Sequence, residues 1–200
     1  MNPDLRYFSE EQANVLQEWR RKAKRIAEWK EWHEKHTNAW KEIQIFFRKA
    51  HFFEGRYLNK NRIDELFDYS QWGQGGRRGL NRNLYEANGV KNFNNALRKL
   101  LDENIPLPER FANFSRLQGA GVWVTSQLLC KKYPKIRPFV GTTANRTGFM
   151  DKVIFNNLTL EQIKLAEKDA TRKFGKISDG KTLRYLTYYT LLYRDILQLS

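Results

Sequence analysis

Apolar or ring-bearing side chains recur every three or four positions through the first fifty residues: Val15, Leu16, Trp19, Ala23, Ile26, Trp29, His33, His36, Trp40, Ile43, Phe47 and Ala50. That spacing is one buried face of an α-helix. Arg20, Arg21, Lys24, Arg25 and Lys30 occupy the other face. Alternation of apolar and polar residues, the mark of a half-buried strand, does not run for five or more residues anywhere in the chain. The expected fold class is all-α, a multi-helix domain. Ser9-Glu10-Glu11-Gln12 has the capping-box form, so a helix starts near Glu10, and Thr37-Asn38 is the expected break into a second helix.

Further helices follow. Asn61 is placed to cap one through Ile63, Leu66 and Phe67 towards Trp72, and short helices are expected over 83–87 and 93–102. Pro108 suits a first helical turn ahead of Phe111, Phe114 and Leu117. A helix is expected over 122–132, another from Thr142 or Thr143 through Met150, and a last one over 182–197. Thr159-Leu160-Glu161-Gln162 is a second capping box, opening a helix that stops at Gly175. Composition shifts at the glycine-rich stretch, which divides basic, Trp-rich helices over 1–72 from a more ordinary helical region over 73–200. The two are compatible with one compact domain.

Lys and Arg number 36 against 22 Asp and Glu, a formal net charge of +14. Such a balance attracts a polyanion: DNA, RNA or an acidic membrane surface. No apolar run approaches the ~20 residues of a membrane span, which leaves peripheral binding through Trp19, Trp29, Trp32 and Trp40 as the only membrane route. The single cysteine, Cys130, has no internal disulfide partner, and MNPDLRYFSEEQ lacks a secretory core, so an intracellular setting is expected.

The segment richest in chemistry is Phe114 to Leu129, FSRLQGAGVWVTSQLL. Gly119 and Gly121 permit a tight turn whose amides are unobstructed by Cβ atoms. The amides of Gly119, Gly121, Trp123 and Val124 then lie at a helix N-terminus, where N–H groups and the helix dipole favour a phosphate. Gln118 and Ala120 share that turn, with Arg116 before it and Lys131, Lys132, Lys135 and Arg137 after it. The bland alternative is a plain turn between two helices.

An apolar residue, Gly-x-Gly, then a helix bearing Leu-Leu resembles the helix-hairpin-helix superfamily, in particular the all-helical domain of the base-excision DNA glycosylases. The likeness covers about 105–150, from Ile105 through the hairpin Leu117 to Gly121 and on through Tyr133-Pro134 to Met150. It implies duplex-DNA binding, and a monovalent cation, Na+ or K+, on the carbonyls of Ser115, Leu117 and Ala120. The sequence departs from the glycosylases at two catalytic positions. Trp123 stands where bifunctional members carry a lysine, and Gly141 or Thr142 where members carry an aspartate. The run from Ile105-Pro106-Leu107 through Tyr133-Pro134 is also similar to non-catalytic helix-hairpin-helix regions of restriction and phage-defence proteins.

Other candidates carry less. Gly73 to Gly79, with Arg77, Arg78 and then Arg82, lacks the Lys-Ser/Thr ending of a P-loop and reads as a basic loop that settles on a nucleic-acid backbone or stays solvated. Gln71, Trp72 and Gln74 are candidates for base contacts beside it. The aromatic stripe of the first helices fits a core better than stacking on unpaired bases. His33 and His36, even with Glu34 or His51, make a poor metal set, and Cys130 ends an apolar run. Asp64-Glu65 and Glu28 lack the framework of a metal-dependent nuclease. The expectation is a non-catalytic duplex-DNA binder in repair or defence, needing no cofactor, with its first helices available to a protein partner. The rivals are an RNA binder and a divergent glycosylase or lyase acting on a flipped base, with Asp151 or Asp102 as acid.

Overall fold

The structure, a computed structural model, describes residues 5–23, 25, 27–68, 80–133, 158–191 and 194–195. Among them every regular element is helical: α1 (Glu10–Ala23), α2 (Ala27–Lys49), a 3-10 turn (Phe52–Glu54), α3 (Lys60–Asp68), α4 (Leu80–Asn88), α5 (Val90–Leu100), α6 (Leu107–Ser115), α7 (Val122–Lys132), α8 (Leu160–Phe174) and α9 (Gly180–Leu191). The all-α expectation holds. The glycine-rich loop, the expected 142–150 helix, Asp151 and the segment after Asp195 lie outside the described residues.

Both capping boxes form. The Ser9 amide donates to Gln12 Oε1 at 2.8 Å and the Gln12 amide donates to Ser9 Oγ at 3.2 Å. Thr159 and Gln162 repeat the exchange at 2.7 and 3.2 Å, and α8 ends at Gly175 with φ 83°. Each box satisfies two otherwise orphaned amides. The first long helix breaks between Ala23 and Ala27, whereas α2 runs unbroken through Thr37-Asn38. Asn38 is exposed, so its cost inside a helix is only a few tenths of a kcal/mol. Burial of Ile43, Phe46 and Phe47 further along α2 is worth about 1.5–3 kcal/mol each and outweighs it.

The cap of α3 is Asn59 rather than Asn61: its Oδ1 accepts from the Arg62 amide at 3.0 Å. Gly89, at φ 77°, turns α4 directly into α5, so α5 begins at Val90, and α4 also begins earlier than the sequence pattern suggests, at Leu80. Pro108 occupies the first turn of α6, while Leu117 falls beyond that helix. The bounds of α7 are those expected.

One cluster of buried apolar side chains runs from Ile43 to Tyr189, taking residues from both sides of position 72. Phe111 of α6 stacks on Tyr185 of α9 at 4.3 Å, and Phe93 of α5 meets Phe114 of α6 edge-on at 6.0 Å. Arg110 is itself buried and donates to the Leu100 carbonyl at the end of α5 and to the Asp102 carbonyl just past it. There its charge meets the negative end of the helix dipole. The amides of Arg6, Tyr7 and Phe8 donate to the buried Asp195 carboxylate, while Arg6 and the Tyr7 hydroxyl donate to Asp169 on α8. The two ends of the described chain are thereby tied together. The side chains of Trp19, Trp29, Trp32, Trp40, His33 and His36 lie outside what is described, so their assigned roles stay expectations.

Candidate nucleic-acid interface

The turn from Arg116 to Gly121 joins α6 to α7. The Leu117 amide donates to the Phe114 carbonyl at 3.1 Å, and the Ala120 amide to the Leu117 carbonyl at 3.0 Å. Gly119 has φ 86°, a left-handed conformation that favours glycine. Gly121 differs. It is extended (φ −99°, ψ −177°), caps the N-terminus of α7 without a side chain, and a Cβ placed there meets no atom within 4 Å. Neither backbone strain nor internal packing therefore requires glycine at 121. The Gly121 carbonyl accepts the Thr125 amide at 3.0 Å and the Thr125 hydroxyl at 2.9 Å, which anchors the first turn of α7. That turn presents the positive end of the α7 dipole.

Two side chains that the sequence pattern did not single out hold this turn. Asn88, at the end of α4, bridges Gln118 in both directions: its Nδ2 donates to the Gln118 carbonyl at 2.9 Å and its Oδ1 accepts the Gln118 amide at 2.9 Å. Lys181, on α9, donates its ammonium to the Ser115 carbonyl at 2.9 Å and to the Ala120 carbonyl at 3.4 Å. Two of the three carbonyls expected to face a monovalent cation thus already face a positive charge. Asp179 sets Lys181 in place by capping α9 through the Thr182 amide at 2.8 Å. Burial pushes the Asp179 carboxyl up, but the Thr182 hydroxyl, the amides of Thr182 and Lys181, and the Lys181 charge outweigh it and hold it below the ordinary value.

The sequence-predicted residues separate into groups. Arg116 and Gln118 are exposed at the turn, Ala120 and Val124 are buried under it, and Trp123 packs against the core cluster as an anchor. Lys132 lies at the far end of α7, where its ammonium donates to Gln44 Oε1 and sits 4.6 Å over the Phe53 ring. An 11-residue helix rises about 16 Å, so Lys132 is not brought to the turn. Burial lowers its pKa from the ordinary lysine value. The Lys131 side chain and all of Lys135, Arg137, Arg77 and Arg78 lie outside the described residues.

Of the candidate acids, Asp102 accepts from the amide and side chain of Asn104. Glu65 is paired with Arg62 on the surface of α3. Among the described residues no cluster of three or more His, Cys, Asp or Glu has a metal-binding arrangement, and no helix is long and apolar enough to cross a membrane. Asn88 carried a weak signal, an Asn before Gly at a helix end. Lys181 carried none, since its partners lie more than sixty positions away. No family model, curated protein or solved structure matches the chain.

Proposed function

We propose that this chain binds duplex DNA non-catalytically, with the turn between α6 and α7 acting as a helix-hairpin-helix clamp on the phosphate backbone. The observation that carries the reading is Gly121: a helix N-terminus opens on a position where glycine is demanded neither by φ nor by packing, and where the missing Cβ leaves the amides approachable. Exposed Arg116 and the formal charge of +14 support it. Contacts of this kind position a duplex without reading its sequence, so affinity falls steeply with salt. Na+ or K+ on the Ser115, Leu117 and Ala120 carbonyls belongs to the same reading, and would have to displace the Lys181 ammonium from two of them.

Gly121→Asp tests it cleanly. An aspartate at an N-cap stabilises the helix by a few tenths of a kcal/mol while placing a negative charge where the phosphate would bind. The expected result in fluorescence anisotropy is a protein at least as stable as wild type with duplex affinity reduced tenfold or more and a shallower salt dependence. Unchanged duplex affinity in the folded variant overturns the clamp. Incubation of wild type with duplexes bearing uracil, 8-oxoguanine or alkylated bases covers the catalytic rival, which requires abasic sites or nicks with turnover.

A further inference from the structure

The turn that follows α2 carries a second feature, separate from the hairpin. His51 adopts a left-handed conformation (φ 49°, ψ 35°), which is uncommon for a residue with a side chain, and Gly55 follows at φ 101°. Between them lies the 3-10 turn, whose neighbouring phenylalanines meet edge-on at 5.3 Å and both pack on Phe47, yet differ in exposure. Phe52 is fully buried, whereas Phe53 is 50% exposed and Tyr57, two residues past Gly55, is 48% exposed.

These exposed rings are held in place. The Arg98 guanidinium lies 4.7 Å over Tyr57 and 5.0 Å over Phe52, with its Nε donating to the Phe52 carbonyl at 3.1 Å. The Tyr57 hydroxyl donates to Asn95 Oδ1 at 2.9 Å. The Lys132 ammonium lies 4.6 Å over Phe53, which also packs on Phe47 at 5.4 Å. Immediately after the rings, Asn94 of α5 binds both the amide and the carbonyl of Leu58. Each ring thus has a cation against it and a further protein contact, Phe47 and Phe52 for Phe53 and Asn95 for Tyr57, while about half of its surface stays open to solvent.

Arg48, Lys49 and Arg56 are exposed on the same stretch of chain. The acids facing the group are Glu54, which is bound to His51 Nδ1 at 2.7 Å, and Glu103, whose charge acts on Lys132. Cations therefore predominate around two half-exposed aromatic rings. That is the chemistry of unpaired nucleobases on a phosphate backbone: bases stack on rings whatever their identity, and arginine and lysine neutralise the phosphates between them. An apolar protein partner would have to cover these cations without neutralising them.

We propose that the Phe53–Tyr57 turn is a stacking platform for the unpaired bases of a single-stranded nucleic acid, with Arg48, Lys49 and Arg56 contacting its phosphates. The platform is about one α7 length from Gly121 and does not depend on the hairpin reading.

The test uses the full chain in fluorescence anisotropy with labelled oligo(dT), oligo(U) and a blunt duplex. Phe53→Leu and Tyr57→Leu keep apolar volume and remove the stacking face, and Phe53→Tyr keeps the ring. Each Leu variant is expected to weaken oligo(dT) or oligo(U) binding by roughly tenfold and leave the blunt duplex unaffected, with Phe53→Tyr close to wild type. The strand that suffers the larger loss identifies the source of the bases. Wild-type affinity of both Leu variants for both strands overturns the proposal, as does an equal loss on duplex and single strands. A dimer in light scattering that Phe53→Leu dissociates without changing strand binding also overturns it, and makes the turn a self-interface. Gly121→Asp separates the two sites: it is expected to lose the duplex and keep the single strand.

Discussion

The ammonium of Lys181, second residue of α9, lies 2.9 Å from the carbonyl oxygen of Ser115, last residue of α6. The carbonyls at the end of a helix lack intrahelical donors and carry the negative end of its dipole, so a lysine there satisfies both deficits. Lys181 also reaches Ala120, and so spans the base of the turn.

Replacing Lys181 by Met removes that donor and keeps the aliphatic stem. The expected loss of stability is about 1 kcal/mol, because Lys181 is exposed and water replaces part of the interaction. Duplex affinity is expected to fall further than stability, since the turn loses its register while the fold persists. Thermal unfolding and anisotropy on the same samples check this, and a lower melting temperature with unchanged duplex affinity would detach Lys181 from binding.

Asn88→Ala removes the donors and acceptor that seat Gln118 on α4, together with the bond from Asn88 Nδ2 to the Leu84 carbonyl. The expected destabilisation is about 0.5–1.5 kcal/mol, because Gln118 is exposed and water replaces part of what its amide and carbonyl lose. Urea unfolding gives the magnitude. Hydrogen exchange at the Gln118 amide should accelerate well beyond the change at Phe93, whose amide belongs to α5.

The two hairpin glycines should respond unequally to alanine. Gly119→Ala forces a Cβ into a left-handed conformation and is expected to cost about 1–2 kcal/mol. Gly121→Ala meets open space on an extended backbone and should stay within about 0.5 kcal/mol of wild type, since fewer unfolded conformations offset the weaker cap. Denaturant midpoints for the pair decide the matter, and equal losses would refute the turn geometry.

Stability should decline at both pH extremes through the tie between the chain's ends. The Arg6 hydrogen bond, with help from Tyr7, outweighs burial and holds the Asp169 carboxyl below its ordinary value. The folded state therefore binds that proton less readily than the unfolded chain, so the contribution is present above the unfolded pKa and is lost as pH falls from about 5. Burial, and the Asp169 hydrogen bond after it, push the Tyr7 hydroxyl up to about 12 from 10.0. Its contribution is complete below pH 10 and disappears as pH rises towards 12. Asp169→Asn should flatten the acid limb of the stability profile and Tyr7→Phe the alkaline limb, as read by thermal unfolding across pH.

Helix identity, both capping boxes and the bounds of α7 were legible in the chain because each rests on residues within one or two turns of one another. Local pattern misplaced the first break. Thr37-Asn38 has the propensity of a boundary, but the buried Ile43, Phe46 and Phe47 on the same helix govern instead. It placed Lys132 beside the turn between α6 and α7 because the two are close in sequence, although a straight helix sets them about 16 Å apart.

What the sequence alone determined is an all-helical chain, a glycine at 119 suited to a left-handed turn, and a formal net charge of +14. Only the tertiary structure decided which side chains support that turn. Asn88 and Lys181 lie 30 and 66 positions from their partners Gln118 and Ser115, and they meet because α4 and α9 both contribute to the one buried core that brings distant segments together. Which of two adjacent phenylalanines is enclosed was likewise decided there: Phe52 joins the core cluster, while Phe53, against Phe47 and the Lys132 ammonium, stays half exposed.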